Sequence, residues 1–222
     1  YWFIHGLNGD SRGIVNELNF QATVSNNQFA LMGAHLNNMH MSSGVGDAVL
    51  NFIDSISVMA NRPEISNIPF FINGYSWGGQ FGYHFTKWFP EKVLALISQK
   101  GGYHDTTTSN IAIDVPMLFF IGENDFQYRI DNLTNIFLNH RPLGAKWVLA
   151  IEKNAVHDQI TDQQFLNTYF NEMASIRLNS NSDFYQPIIL NNLPDSISWL
   201  GHYDSLVIDS RVCYSLNIDS SS

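Results

Sequence analysis

One stretch constrains this chain more than any other. Ile68 to Ile72 is an apolar run that reads as a buried strand; it continues through Asn73 into Gly74-Tyr75-Ser76-Trp77-Gly78-Gly79 and then into a helical pattern. A Gly-x-Ser-x-Gly sequence means little in isolation, because Gly and Ser are common in turns. Between a strand and a helix it specifies a turn so tight that side chains beside the serine would collide with the elements it joins. Glycines at 74, 78 and 79 remove those side chains. The serine hydroxyl is then held out beyond the sheet at the start of a helix, where the helix dipole favours developing negative charge.

The rest of the chain repeats the strand-then-helix order. Tyr1 to Ile4 reads as a strand ending in His5-Gly6-Leu7. A helix is expected from a Ser11 cap to about Val24, with Ile14, Val15 and Leu18 on one face. Phe29 to Leu36 reads as a second strand. Asn37 to Gly46 is a Met-, Asn- and Gly-rich loop at a strand-to-helix handover. From Asp47, the residues Val49, Phe52, Ile53, Ile56 and Met59 recur at helical spacing, and Asn61-Arg62-Pro63 stops them. After the serine turn, a helix runs from about Trp77 to Phe89 and Pro90 ends it. Val93–Ser98, 116–121 and 146–151 read as strands. A helix over about 130–139 separates the last two. A capping box at Thr161 and Gln164 opens a final helix with Phe165, Tyr169, Met173 and Ile176 on its apolar face. Residues 179–183 are linker-like. Two short strands are expected beyond them, at 187–190 and 206–208, separated by Trp199-Leu200-Gly201. The alternation predicts an α/β fold with a parallel sheet of about six strands and right-handed crossovers. The domain is expected over 1–178, with 179–222 as a short extension packed on it.

Composition narrows the function classes. The 222 residues carry a net charge of −9, which argues against a nucleic-acid surface built from clustered Lys and Arg. The single cysteine, Cys213, excludes an internal disulfide. No CxxC or HExxH spacing is present, and His35 and His40 form no recognisable metal set with nearby carboxylates, so neither metal nor cofactor is expected. No apolar run reaches the roughly 18 residues a membrane span needs. The sequence carries no signal of oligomeric state. Asn132-Leu133-Thr134 fits a glycosylation sequon, a triplet frequent by chance.

In an open parallel sheet, ligands bind beyond the carboxyl ends of the strands. Four such ends carry polar residues suited to chemistry: His5-Gly6, Ser76, Asp125 and His157. A serine hydroxyl needs a base to become a nucleophile at neutral pH, and His157 is the candidate. Asp125 would hold the imidazole in the productive tautomer. Glu123, in the same loop, is its rival; Asp114 lies at the wrong end of a strand. His104, His140 and His202 are the other histidines weighed, and lone histidines are mostly surface or core residues. The backbone N–H groups of Leu7 and Trp77 are the candidate oxyanion donors. His5 is expected to anchor the oxyanion loop. The Trp77 ring either packs or walls an acyl pocket. Tyr75, Tyr103, His104 and Phe126 are candidate cleft residues.

His5-Gly6-Leu7, Gly74-Tyr75-Ser76-Trp77-Gly78-Gly79, Gly122-Glu123-Asn124-Asp125 and Ala155-Val156-His157, in that order, resemble an α/β-hydrolase. More narrowly, the chain resembles the compact esterases related to polyhydroxybutyrate depolymerases, feruloyl esterases and acetyl xylan esterases. The resemblance covers Tyr1 to about Leu178. It implies a serine carboxylic-ester hydrolase acting through an acyl-enzyme, without cofactor, on small or polymeric esters, and it favours a secreted or periplasmic location. A serine peptidase, a thioesterase or a non-catalytic binding protein on the same fold are the alternatives. Such proteins usually carry two further strands before the one preceding His5, so the chain is either shortened or has a minimal sheet. The short interval between Ser98 and Pro116 has room for little more than a loop, and the resemblance to lidless members implies an open cleft.

Overall fold

The structure is a computed structural model, and it describes residues 1–109, 111–160, 162–179, 181–194, 199–201 and 208–210. Six strands, β1 (Trp2–Ile4), β2 (Met32–Gly33), β3 (Phe70–Tyr75), β4 (Val93–Gln99), β5 (Met117–Gly122) and β6 (Trp147–Glu152), form one sheet in the order β2-β1-β3-β4-β5-β6. Every pairing is parallel. Strands β3, β4 and β5 are buried along almost their whole length, because both faces are covered. Residue alternation sorts their side chains into two cores. Trp2, Ile4, Ile72, Leu96, Met117 and Phe119 pack with helices α2 (Val45–Met59), α3 (Trp77–Trp88) and α4 (Gln127–His140). Tyr1, Phe3, Phe71, Ile97, Leu118 and Phe120 pack with α1 (Leu18–Asn26) and α5 (Gln163–Arg177).

The sheet starts in its middle. From β1 the chain goes to the edge strand β2, then returns past β1 to begin β3 on the other side. The winding reverses between β1 and β3, and a crevice opens at their carboxyl ends. Ile4 lies opposite Gly74 in the register, so the His5-Gly6-Leu7 loop leaves the sheet beside Ser76.

Several local expectations change. The first helix splits into a 3-10 segment over Ser11–Asn16 and α1. Asp10, not Ser11, caps the segment by accepting from the Arg12 N–H, while the Ser11 hydroxyl accepts from the His5 N–H. Ile14 is buried but Val15 and Leu18 are exposed. Only Met32 and Gly33 of 29–36 pair as a strand, and the 3-10 segment lies directly on Gly33, covering that edge. On α2 the buried row is Val45, Val49 and Ile53, with Phe52 and Met59 exposed. On α5 it is Leu166, Phe170, Ala174 and Arg177, one residue on from the expected face. Adjacent rows of α5 are both apolar, so spacing leaves the phase open and packing on the sheet decides it. Asp162 caps α5 by accepting from the Phe165 N–H; Thr161 lies outside the described residues.

Contacts divide the chain into two units, Tyr1–Asn191 and Asn192–Ser222. In the first, residues 187–190 form no strand, although Leu190 packs on the α5-side core. In the second, Trp199–Gly201 is itself a strand and pairs antiparallel with Ile208–Ser210. Leu206, Val207, His202 and Cys213 lie outside the described residues. Among the described residues, no helix is long and apolar enough to cross a membrane.

Candidate active site

The turn after β3 has the geometry its glycines imply. Ser76 has φ 54° and ψ −119°, a backbone conformation that L-residues rarely adopt. A Cβ on Gly74 would overlap the Gly78 carbonyl, and one on Gly78 would overlap the carbonyls of Ile4 and His5. The Ser76 N–H donates to Gln99 O at 2.8 Å, fixing the turn to the end of β4. Trp77 opens α3, and its N–H has no partner within the helix, whose first bond runs from Gln80 N–H to Ser76 O (3.1 Å). Gly6 sits against the serine, since a Cβ there would stand 2.9 Å from Ser76 Cβ. The loop carrying the Leu7 N–H thus passes beside the hydroxyl.

Ser76, His157 and Asp125 form one hydrogen-bonded chain. Ser76 Oγ is 2.9 Å from His157 Nε2, and His157 Nδ1 is 3.0 Å from Asp125 Oδ2. A carboxylate only accepts, so Nδ1 carries the proton and Nε2 is free to accept from the serine. The Asp125 side chain is 1% exposed and that of His157 22%, so the chain runs from the interior to the crevice. Asp125 Oδ1 accepts from the Phe126 N–H at 2.7 Å, just before α4 begins. Glu123 is engaged elsewhere, with Oε2 accepting from the Asn154 N–H at 2.8 Å. His140 is buried, its ring nitrogens facing Ile136 O and Thr107 O.

The loop bearing His157 is tied down at several points. The Tyr75 hydroxyl donates to His157 O at 2.9 Å, and the Ile160 N–H donates to Gln99 Oε1 at 3.0 Å. Gln99 Nε2 in turn donates to Asn73 Oδ1 (2.6 Å), and Asn73 Nδ2 donates to the Tyr1 hydroxyl (2.8 Å). Lys100, at the end of β4 with a side chain 0% exposed, lies 2.7 Å from Glu152 Oε2 and also pairs with Asp158, the residue after His157. A buried ammonium is tolerated only when paired in this way.

Ser76 opens into a cleft of about 310 Å³ walled by Leu7, His40, Trp77, Gln80, Tyr103 and Arg129. The Trp77 ring both packs on the core and meets His40 edge-on at 5.3 Å between centroids. Of the residues expected in the cleft, Tyr103 lines it and His104 does not. His104 is buried, with Nε2 3.1 Å from Ser98 Oγ and Nδ1 3.1 Å from Asn132 Oδ1. Burial holds its imidazole well below the ordinary value of 6.5, at about 3. Asn132, the residue of the sequon, is partly buried and hydrogen-bonded to the buried His104. Tyr75 lies under His157, with ring centroids 5.3 Å apart. His5 packs edge-on against Phe3, with Gln159 Nε2 3.4 Å from its Nδ1. Phe126 is exposed on the rim. Gln80 and Arg129 were not singled out in the sequence. Each lies four residues beyond a candidate, Ser76 and Asp125, a spacing that would have found them. Among the described residues, no group of three or more His, Cys, Asp or Glu is placed to hold a metal ion.

Comparison with known proteins agrees with this architecture. No curated protein matches the sequence. Solved structures match the fold: esterase PE8 (15% identity, TM-score 0.58, covering 78% of this chain and 91% of that one); the Bacillus cereus carboxylesterase (9%, 0.60, 78% and 87%); and SOBER1 of Arabidopsis thaliana (16%, 0.51, 78% and 97%). At these identities the likeness is one of fold, the α/β-hydrolase fold. The model of the dienelactone hydrolase family matches residues 19–185, most of the chain. The six-stranded parallel sheet, with its winding reversed beside a strained serine turn, is therefore that of a hydrolase, and the chain belongs to the dienelactone hydrolase family.

Proposed function

We propose that the protein is a serine carboxylic-ester hydrolase acting through an acyl-enzyme. The observation that carries this reading is the continuous hydrogen-bonded chain Ser76–His157–Asp125, opening at Ser76 into a cleft. His157 Nε2 takes the Ser76 proton as Oγ forms a bond to the ester carbonyl carbon. The N–H groups of Leu7 and Trp77 receive the oxyanion. As the intermediate collapses, the ester C–O bond breaks and His157 returns its proton to the departing alcohol. Water then repeats the sequence on the acyl-enzyme, releasing the acid and restoring Ser76. Asp125 keeps Nδ1 protonated and offsets the imidazolium charge.

The catalytic unit is assigned to residues 1–178, with 179–222 as an extension. Residues up to Asn191 are tied to that unit, the Asn191 N–H donating to Arg177 O at the end of α5 (2.9 Å). The absence of a helix between β4 and β5 among the described residues suits an open cleft and esters too large to be enclosed.

The test is labelling by a fluorophosphonate, followed by peptide mapping and short-chain ester turnover in Ser76→Ala. Labelling at Ser76, with turnover lost in the variant, is the expected result. A variant that keeps wild-type turnover overturns the nucleophile assignment. A folded wild-type protein that neither labels nor turns over is the binding-protein alternative.

A further inference from the structure

Three aromatic side chains stand exposed in a row beside the cleft. Tyr103 is 71% exposed, Phe126 64% and Tyr128 42%. The Tyr103 and Tyr128 rings are stacked, with centroids 5.3 Å apart and planes inclined by 30°. Tyr128 and Phe126 are stacked in turn, at 6.1 Å and 21°. The Arg129 guanidinium lies 5.0 Å from the Tyr128 centroid. Rings of this size ordinarily lose water by burial, and a contiguous exposed group marks a surface that something else covers.

Two further observations tie the row to the cleft. Tyr103 belongs to both, since it walls the cavity that contains Ser76. It is also held in place at a cost. Its φ is 67°, the left-handed region, which is strained for a bulky residue. The neighbours enforce it: the His104 N–H donates to Asn132 Oδ1 at 2.9 Å, and the Asn132 amide donates back to His104 O at 3.1 Å. Gly102 lies so close to α4 that a Cβ would be 3.1 Å from both Tyr128 and Arg129. That backbone turns His104 inward and at the same time presents the Tyr103 ring at the cleft mouth, and a strained residue beside a candidate site points to a use for its ring.

We propose that Tyr103, Tyr128 and Phe126 form a binding strip for a planar aromatic group of the substrate, so that the preferred esters carry a ring on the portion that leaves the cleft. The proposal rests on the ester-hydrolase reading above. One face of Tyr103 is taken by Tyr128, which leaves the other for the substrate ring. A cavity of about 310 Å³ lies at the low end of the range for ligand pockets, so a larger ester extends over the rim onto this strip. The Arg129 guanidinium, packed near the Tyr128 ring and donating to Lys100 O (3.3 Å), helps fix the orientation of the strip.

The experiment compares 2-naphthylmethyl acetate with its saturated counterpart, decahydronaphthylmethyl acetate. These differ in planarity and π character but little in leaving-group reactivity. The wild type should favour the aromatic ester in kcat/KM. Tyr103→Ala should reduce that preference roughly 2- to 10-fold, chiefly through KM, Tyr128→Ala should reduce it less, and Tyr103→Phe should restore it. A preference unchanged by Tyr103→Ala, or equal losses on both esters, overturns the proposal. Naphthalene-2-methanol binding, read by fluorescence in a Ser76→Ala background, separates the two readings. If no ester is turned over but binding weakens on adding Tyr103→Ala, the strip stands and the esterase reading fails. If binding is indifferent to Tyr103, the strip is overturned whatever the activity.

Discussion

Replacing Ser76 by Ala and by Gly separates what the serine does from what its backbone costs. Both substitutions remove Oγ and with it the 2.9 Å contact to His157 Nε2, a loss of about 0.5–1.5 kcal/mol common to the two. They differ in the Cβ. At φ 54° and ψ −119°, an L-residue is strained by about 1–3 kcal/mol, which Ala keeps and Gly relieves. Gly gives back about 0.5–1 kcal/mol through the greater freedom of its unfolded chain. Ser76→Gly should therefore be more stable than Ser76→Ala by about 1 kcal/mol, or about 2–4 °C in Tm for a chain of this size. Chemical denaturation of the two variants, with equal slopes, measures the difference directly. Both should have lost ester turnover. If Ala is as stable as Gly or more so, residue 76 is not strained and the account of the turn is wrong.

Three other perturbations test the surrounding scaffold. Gly78→Ala places a Cβ on the Ile4 and His5 carbonyls, which cannot move without opening β1 from β3; a loss of about 1–3 kcal/mol or more is expected in denaturation, together with ester turnover. Lys100→Met preserves the buried volume but releases Glu152 and Asp158, both partly exposed, so stability should change by less than about 1 kcal/mol while kcat falls ~10- to 100-fold as the His157 loop loses its tether; unchanged kcat would refute that positioning role. His104 should contribute to acid sensitivity. It is neutral in the fold, with its pKa depressed from 6.5 to about 3, whereas the unfolded chain takes up a proton below 6.5. Its contribution is complete above pH 6.5 and declines toward pH 3, with about 2 kcal/mol gone by pH 5. His104→Gln should flatten the stability profile between pH 6.5 and 4, and an unaltered slope would show that another group is responsible.

Much of this arrangement is legible in order along the chain. The α/β alternation, the six strands and the tight serine turn follow from apolar runs punctuated by Gly and Pro, because those residues act locally on the backbone. Ser76, Asp125 and His157 could be singled out for the same reason: each follows a strand, and parallel strands bring their carboxyl ends to one side. Glu123 and Asp125 differ only in which carboxylate turns toward His157 and which toward the Asn154 N–H, a matter of three-dimensional direction. His104 is a candidate cleft residue in the sequence, but its ring turns inward to Ser98 and Asn132. The face of α5 was displaced because two adjacent apolar rows satisfy the same period.

The sequence by itself determined the fold class and the location of the candidate nucleophile Ser76, since strand, turn and helix are written within ten consecutive residues. Only the tertiary structure decided what surrounds it. Lys100, Asp158 and Glu152 are brought together from the ends of two strands and a loop, and Tyr103 meets Tyr128 across a loop and a helix. Such contacts depend on register and packing between distant segments, and no local pattern of residues encodes them.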